Sequence, residues 1–273
     1  MENKTKILII LDGSKENEES IDFILKSSFF KFDEISLFFI LNPVNPVNQI
    51  RENQPLYHDF VHDHGTKLAN MYIEKIQDLI LSKRPELKIS YSIVNSKINI
   101  LERISLQDIS ISLISKSKIN KLNYLFSSKG LNYFLRNIQP LIFIPSNYTF
   151  DNKLKNNLLS KYSSNLLTGK ILDFLINNKD EFLNFDKLTF LFSKENEKFE
   201  IEELIEKLAS KKYDIQLIKT QEKITKYLEK SKINENFIIY NTSKIKSYFW
   251  NNLTKNSNYS LINSNLPVIF DNY

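Results

Sequence analysis

Residues 6–14 read Lys6-Ile7-Leu8-Ile9-Ile10-Leu11-Asp12-Gly13-Ser14, a short apolar run that ends in an acidic residue, a glycine and a hydroxyl residue. The run is rich in Ile and Leu and is bounded by a turn, which predicts a strand covered on both faces. Gly13 suits the positive φ of a tight turn, and Asp12 or Ser14 suits the cap of the helix that follows. Asp12 therefore stands at the carboxyl end of a buried strand, where open parallel sheets bind ligands.

The second half of the chain repeats the pattern of the first half in the same order. Four pairs of stretches correspond: 32–39 with 185–192, 87–94 with 213–220, 117–119 with 243–245, and 139–143 with 266–270. Each match is loose alone, but the series predicts a duplicated unit. Strands and helices alternate within each unit, which calls for a parallel sheet with helices on both faces.

The opening strand and turn, together with a second strand over residues 35–41 that closes in Asn42-Pro43-Val44, resemble the universal stress protein family. The resemblance covers nearly the whole chain. It implies an α/β fold of two doubly wound, parallel, five-stranded sheets, Rossmann-like and arranged as a tandem repeat. We predict a first domain over residues 1–148 and a second, shorter and more degenerate domain over residues 149–273, since 273 residues suit two cores better than one.

Members of this family that bind ATP have an acidic residue after the first strand and a Gly-x2-Gly-x9-Gly-Ser/Thr loop after the fourth. Glycines are needed there because only a backbone without Cβ atoms brings its N–H groups close to phosphate oxygens. The resemblance places Ile114, Ser117 and Ser127 at the three glycine positions and Ser128 at the hydroxyl position, with Asp12 and Gly13 at the first strand. We therefore predict that the nucleotide site is largely lost and that no cofactor is bound.

An alternative keeps the first domain as an ATP- or AMP-binding switch or a slow ATPase. Four lysines surround its loop, and the serine hydroxyls could donate hydrogen bonds to an anion; the lysines are Lys116, Lys118, Lys121 and Lys129. The second domain has fewer candidate nucleotide-binding residues, because Ser163 stands where Asp12 stands in the first domain. Its loop, from Tyr240 towards Thr254, contains no glycine.

All 3 histidines of the chain, His58, His62 and His64, fall within one short stretch that also contains Asp59 and Asp63. On a helix, His58 and His62 share a face and could bind Zn²⁺ or Ni²⁺. Three histidines at i, i+4 and i+6 cannot all face one point, and a polar helix start exposed to water explains the same pattern. We predict no metal site and keep metal binding as the less favoured hypothesis.

Composition narrows the function further. The net charge of +5 is shared by both halves and forms no basic arm, so we expect no nucleic-acid partner. The absence of cysteine excludes disulfides and thiol catalysis. The first apolar run is too short for a signal peptide or a membrane span, which favours a cytoplasmic protein without a membrane partner.

Catalytic motifs do not stand out either. The sequence has no Gly-x-Ser-x-Gly elbow and no His-Glu-x-x-His motif, so we predict no catalytic residues and no enzyme activity. The prediction is a stress-response or regulatory binding protein, built as an intramolecular pseudo-dimer whose halves meet at residues 141–144 and 268–270. A short linker near residues 146–152 should keep the halves in contact. A homodimer and an unidentified protein partner remain open.

Overall fold

The computed structural model of the protein describes residues 5–11, 13, 15–41, 55–94, 109–115, 140–145, 148–162, 175, 183–208, 213–231, 235–241 and 265–270. Within them lie ten strands: β1 (Lys6–Leu11), β2 (Glu34–Ile40), β3 (Lys88–Val94), β4 (Ile111–Ser115), β5 (Leu141–Ile144), β6 (Asn156–Lys161), β7 (Lys187–Phe192), β8 (Asp214–Lys219), β9 (Asn236–Asn241) and β10 (Val268–Phe270). The same residues contain four helices longer than one turn: α1 (Lys15–Lys26), α2 (Pro55–Lys83), α3 (Glu195–Leu208) and α4 (Ile224–Lys230).

The strand order repeats in the two halves. The sheet runs β3-β2-β1-β4-β5-β10-β9-β6-β7-β8, so each half places its first strand in the middle and adds later strands on both sides. All neighbours within a half are parallel. Parallel neighbours need crossover connections, and helices supply them between β1 and β2, between β2 and β3, and between β7 and β8. The predicted class, a doubly wound parallel α/β fold, is confirmed.

The prediction of two separate sheets is wrong. The last strands of the two halves, β5 and β10, pair antiparallel and join the halves into one continuous ten-stranded sheet. The physical reason lies in the strand edges. A strand at the edge of a five-stranded sheet presents a row of unpaired N–H and C=O groups, and two such edges satisfy each other by pairing. The joined strands are those at which the sequence predicted contact between the halves.

The register of the ladders also repeats. Glu34 pairs with Lys88 in the first half, and Lys187 pairs with Asp214 in the second. The repeated stretches of sequence align Glu34 with Lys187 and Lys88 with Asp214. The sequence correspondence thus identifies residues that take equivalent places in the two ladders.

A reciprocal pair of hydrogen bonds precedes the second strand of each half. The Asp33 N–H donates to the Thr5 carbonyl (3.0 Å), and the Asp33 carboxylate accepts from the Thr5 N–H (3.2 Å). The Asp186 N–H donates to the Asn156 carbonyl (3.0 Å), and the Asp186 carboxylate accepts from the Asn156 N–H (2.8 Å). These bonds satisfy backbone groups just before the parallel ladders begin.

One hydrophobic cluster extends through both halves. It includes Ile9 and Phe29 of the first half and Phe185 and Phe190 of the second, all buried. The Phe29 and Phe185 ring centroids lie 5.6 Å apart, so aromatic packing joins the halves at a second place besides β5 and β10. Phe29-Phe30 and Phe38-Phe39 are all buried, so both aromatic pairs belong to the core.

The segment between the halves contributes to this core although its sequence looks polar. Tyr148 and Phe150 pack edge-on against Phe23 of α1, with ring centroids 5.3 and 5.9 Å apart. Burial raises the pKa of Tyr148 to about 12. A hydrogen bond from the second half also holds this segment: the Asn236 side-chain amide donates to the Asp151 carbonyl (2.6 Å).

Candidate functional site

The centre of the first half has the geometry of a ligand crevice. β1 lies between β2 and β4, and the chain leaves β1 towards β2 but returns later to β4 on the other side. The carboxyl ends of β1 and β4 are therefore the place where a doubly wound sheet binds ligands. β1 ends at Leu11 and β4 at Ser115, both buried.

Gly13 forms the turn that leaves β1. Its φ of +81° confirms the predicted left-handed turn, and the residue is exposed at the carboxyl edge of the sheet. A Cβ atom at this position would lie 3.4 Å from Cζ and 3.7 Å from Cε2 of Phe39 at the end of β2. The backbone conformation, more than the available space, accounts for glycine here.

The loop after β4 begins later than the sequence alignment placed it. Ile114, aligned with the first glycine of the nucleotide loop, is a buried residue inside β4 and pairs with Phe143 of β5. Its side chain therefore belongs to the sheet interior and not to the loop. The loop begins at residue 116 or later, at least two residues after Ile114, because β4 continues to Ser115.

Most of the sequence-predicted site residues lie outside the described residues. Of the five candidate cofactor-binding positions, Gly13 is described; the other four are Asp12, Ser117, Ser127 and Ser128. The four lysines expected around the loop also lie outside the described part of the chain.

The histidine stretch falls on α2. His58, His62 and His64 follow the start of this helix at Pro55, and His64 is exposed. The side chains of His58 and His62 lie outside what the structure describes. Among described residues, no group of three or more His, Cys, Asp or Glu side chains is arranged to hold a metal ion.

The carboxyl edge of the second half contains an internal hydrogen bond from a buried tyrosine. Tyr162 directly follows β6, and the repeated register places it where the first half has Leu11. Its ring is fully buried, and its hydroxyl donates to the Glu200 carboxylate of α3 (2.7 Å). A long polar side chain with its own protein partner thus lies where the first half has an aliphatic one.

A second carboxylate satisfies the backbone at the start of α3. Buried Glu197 accepts hydrogen bonds from the Ser193 N–H (2.7 Å) and the Lys194 N–H (2.9 Å). Such amides at a helix start attract anions, because they lack partners within the helix and lie at the positive end of its dipole. Here the protein's own carboxylate occupies them.

Three further contacts lie at the same edge. Two of them hold the loop between β8 and α4, and the third joins β8 to α3. The Lys161 ammonium donates to the Glu222 carbonyl (2.9 Å), and the Gln221 amide donates to the Ser193 carbonyl (3.1 Å). The Lys219 ammonium donates to the Glu195 carboxylate (2.6 Å), and this contact lowers the pKa of Glu195. Side chains from β6, β8 and the adjoining loop therefore make contacts across the described part of this edge.

Sequence reasoning missed Glu197 and Glu200. A signal for Glu197 was present, because a Glu at the third position of a helix is half of a capping box. The partner position holds Lys194 instead of Ser or Thr, so the full motif is absent. No local signal points to Glu200, since its partner Tyr162 lies 38 residues away.

Sequence comparison gives no relative. No protein-family model matches the chain, and no curated protein matches it. Solved structures do resemble it. A universal stress protein from Archaeoglobus fulgidus superimposes with a TM-score of 0.61 at 12% identity, over 97% of this chain and 95% of that one.

Two other solved structures align along almost the whole chain. The cytoplasmic domain of a prokaryotic cation chloride cotransporter has a TM-score of 0.52 at 11% identity, over 98% of this chain and 95% of that one. A functionally unknown protein from Pseudomonas aeruginosa PAO1 has a TM-score of 0.50 at 9% identity, over 98% of this chain and 92% of that one.

The repeated strand order defines a class: paired, doubly wound parallel α/β units that share one sheet. The likeness to the Archaeoglobus structure makes the fold that of universal stress proteins. At sequence identities of 9–12%, the structural likeness shows the fold alone. None of the helices in the described residues combines the length and the apolar character that a membrane crossing requires.

Proposed function

We propose that the protein is a stress-response or regulatory binding protein of the universal stress protein type, that it acts without catalysis, and that it has lost most of the family's nucleotide site. We propose further that it comprises two domains, residues 1–148 and 149–273, that associate as an internal pseudo-dimer in the cytoplasm. In this function the surface of the protein, not a bound nucleotide, carries the signal.

One observation carries the proposal. At the carboxyl edge of the second half, Glu197 accepts from the two amides that directly precede α3 (2.7 and 2.9 Å), and Glu200 accepts from buried Tyr162. A phosphate that reached the start of α3, which follows β7 and lies beside the crevice between β6 and β9, would have to displace a buried carboxylate that already satisfies these donors. Like charges close together repel strongly in a partly buried setting, so the phosphate and Glu197 would compete for the same amides.

One feature of the first half favours the alternative, an ATP- or AMP-binding switch or slow ATPase. The tight turn at Gly13 keeps the positive φ that lets the backbone leave β1 sharply, and Asp12 precedes it in sequence. The buried position of Ile114 also removes one obstacle to a phosphate. A nucleotide, if bound, would therefore occupy the first half.

Titration with ATP and Mg²⁺ in a calorimeter distinguishes the two functions. We expect no saturable heat from the wild-type chain and no phosphate release above that of a buffer control. Mass spectrometry of the denatured protein should likewise find no carried nucleotide.

The control variants locate any binding that does occur. Asp12→Ala removes the acidic residue after β1, and Asp78→Ala removes an exposed acidic residue of α2 as a matched charge change. Saturable ATP binding that is abolished by D12A and retained by D78A would reject the leading proposal and establish the switch. Binding retained in both variants would reject the leading proposal and the assignment of the site to Asp12.

A further inference from the structure

The two outer edges of the ten-stranded sheet differ in charge. β3 forms one edge and β8 the other. β8 begins with Asp214 and ends with Lys219, both exposed, and Lys219 is paired with Glu195. Charged residues are a common means by which edge strands avoid pairing with other chains. β3 has a charge only at its first residue, Lys88, and none over residues 89–94.

At three residues of β3, the backbone N–H and C=O groups point away from β2. The Lys88 N–H donates to the Asp33 carbonyl, and the Val94 carbonyl accepts from the Leu41 N–H, so both residues bond towards β2. In a parallel ladder, alternate residues bond to the same neighbour. Ile89, Tyr91 and Ile93 therefore direct their N–H and C=O groups away from the sheet, and no strand in the described part of the chain pairs with that side of β3.

The sequence of this edge is a palindrome. Residues 89–93 read Ile-Ser-Tyr-Ser-Ile. If two copies of β3 pair antiparallel with Tyr91 opposite Tyr91, Ile89 lies opposite Ile93 and Ser90 lies opposite Ser92. Lys88 then lies opposite Val94, so no like charges meet. The outward residues 89, 91 and 93 are also the ones that would exchange backbone hydrogen bonds in this register.

We propose that β3 is a homodimerisation edge, at which a second copy of this chain adds its own β3 antiparallel, centred on Tyr91. The side chain of Tyr91 is 50% exposed, although its neighbours Ile89 and Ile93 pack against the core. In the dimer, the two Tyr91 rings form a cross-strand aromatic pair. The chain already joins its own halves by the same kind of pairing, between β5 and β10.

Sedimentation equilibrium of the full chain, from micromolar to millimolar concentration, tests the proposal. We expect a reversible monomer–dimer equilibrium. Tyr91→Lys places two ammonium groups opposite each other and should raise the dimer dissociation constant at least about tenfold. Gln216→Lys introduces the same charge at an exposed position of β8 and should leave the constant unchanged.

A mixing experiment separates edge pairing from loss of folding. Tyr91→Glu alone should also prevent dimerisation, whereas an equimolar mixture of Y91K and Y91E should form a heterodimer, because opposite charges then face each other. Circular dichroism spectra that match the wild type show that each variant folds. A wild-type chain that stays monomeric throughout, a Y91K chain that dimerises like the wild type, or a mixture that does not associate would each overturn the proposal.

Discussion

Ile142 of β5 lies opposite Ile269 of β10, and the two residues occupy the same position of the repeated unit. On either side, Leu141 faces Phe270 and Val268 faces Phe143, which is the same pairing seen from each half. A local twofold axis therefore passes between Ile142 and Ile269. The β5–β10 contact thus has the geometry of an isologous dimer contact, but both of its strands belong to one covalent chain.

Shortening a side chain at this axis should destabilise the whole molecule. Ile142 is fully buried, and its replacement by Ala removes packing against both halves. We expect Ile142→Ala to lower the free energy of unfolding by about 2–5 kcal/mol. Urea denaturation followed by circular dichroism measures the change. Leu68→Ala, at an exposed site on α2, should stay within about 0.5 kcal/mol of the wild type, and equal effects of the two variants would contradict the prediction.

Two glycines should respond oppositely to the same substitution. Gly13 has a φ of +81°, which costs an L-residue about 1–2 kcal/mol, so Gly13→Ala should lower the melting temperature. Gly65 lies inside α2, where, of the atoms in the described residues, a Cβ would meet Cδ2 of Leu41 at 3.7 Å. Gly65→Ala should raise the stability by about 0.5–1 kcal/mol, since alanine favours the helix. Differential scanning calorimetry on the two variants checks the signs, and a shared sign would refute the argument.

Loss of the internal cap should weaken the second half. Glu197→Ala leaves the Ser193 and Lys194 amides without their carboxylate, at a cost of about 1–3 kcal/mol. Glu206→Ala, at an exposed position of the same helix, serves as the control and should change stability by less than about 0.5 kcal/mol. Chemical denaturation of both variants gives the comparison. A loss no larger for E197A than for E206A would show that the cap contributes nothing.

The contact between α1 and α2 should depend on pH through Asp22. Burial alone would raise the pKa of Asp22, but hydrogen bonds from Lys26 and Lys83 outweigh it and leave the pKa below 3.8. The unfolded chain therefore binds the proton more readily, and the stabilisation is present above pH 3.8 and lost as the pH falls through the lower, folded value. Asp22→Asn removes this dependence.

The measurement is the difference in unfolding free energy between wild type and D22N as a function of pH. The difference should be constant near neutral pH and shrink towards zero as the carboxyl group becomes protonated in the folded state. Because the ion pairs are partly exposed, added salt should reduce it as well. A difference that grows on acidification would mean that the sign is wrong.

The bounds of β1 and β2 were predictable from sequence to within one residue. β1 over Lys6–Leu11 was predicted without error, because a short run of Ile and Leu bounded by turn residues has few other solutions. Gly13 was predictable for a similar reason, since the turn after β1 admits few residues besides glycine. The alignment of the nucleotide loop failed at Ile114, because a degenerate loop gives no local mark of where a strand ends.

The sequence by itself determined the α/β class and the repeated order of strands, because these follow from local periodicity and from the match of one half to the other. Only the tertiary structure decided that β5 and β10 would merge the halves into one sheet, and that Glu197 and Glu200 would occupy donors at the edge of the second half. Ile142 and Ile269 pair although they lie far apart in the chain. The free energy of such a contact depends on which strand edges and backbone hydrogen-bond donors are still unpaired once the chain has folded.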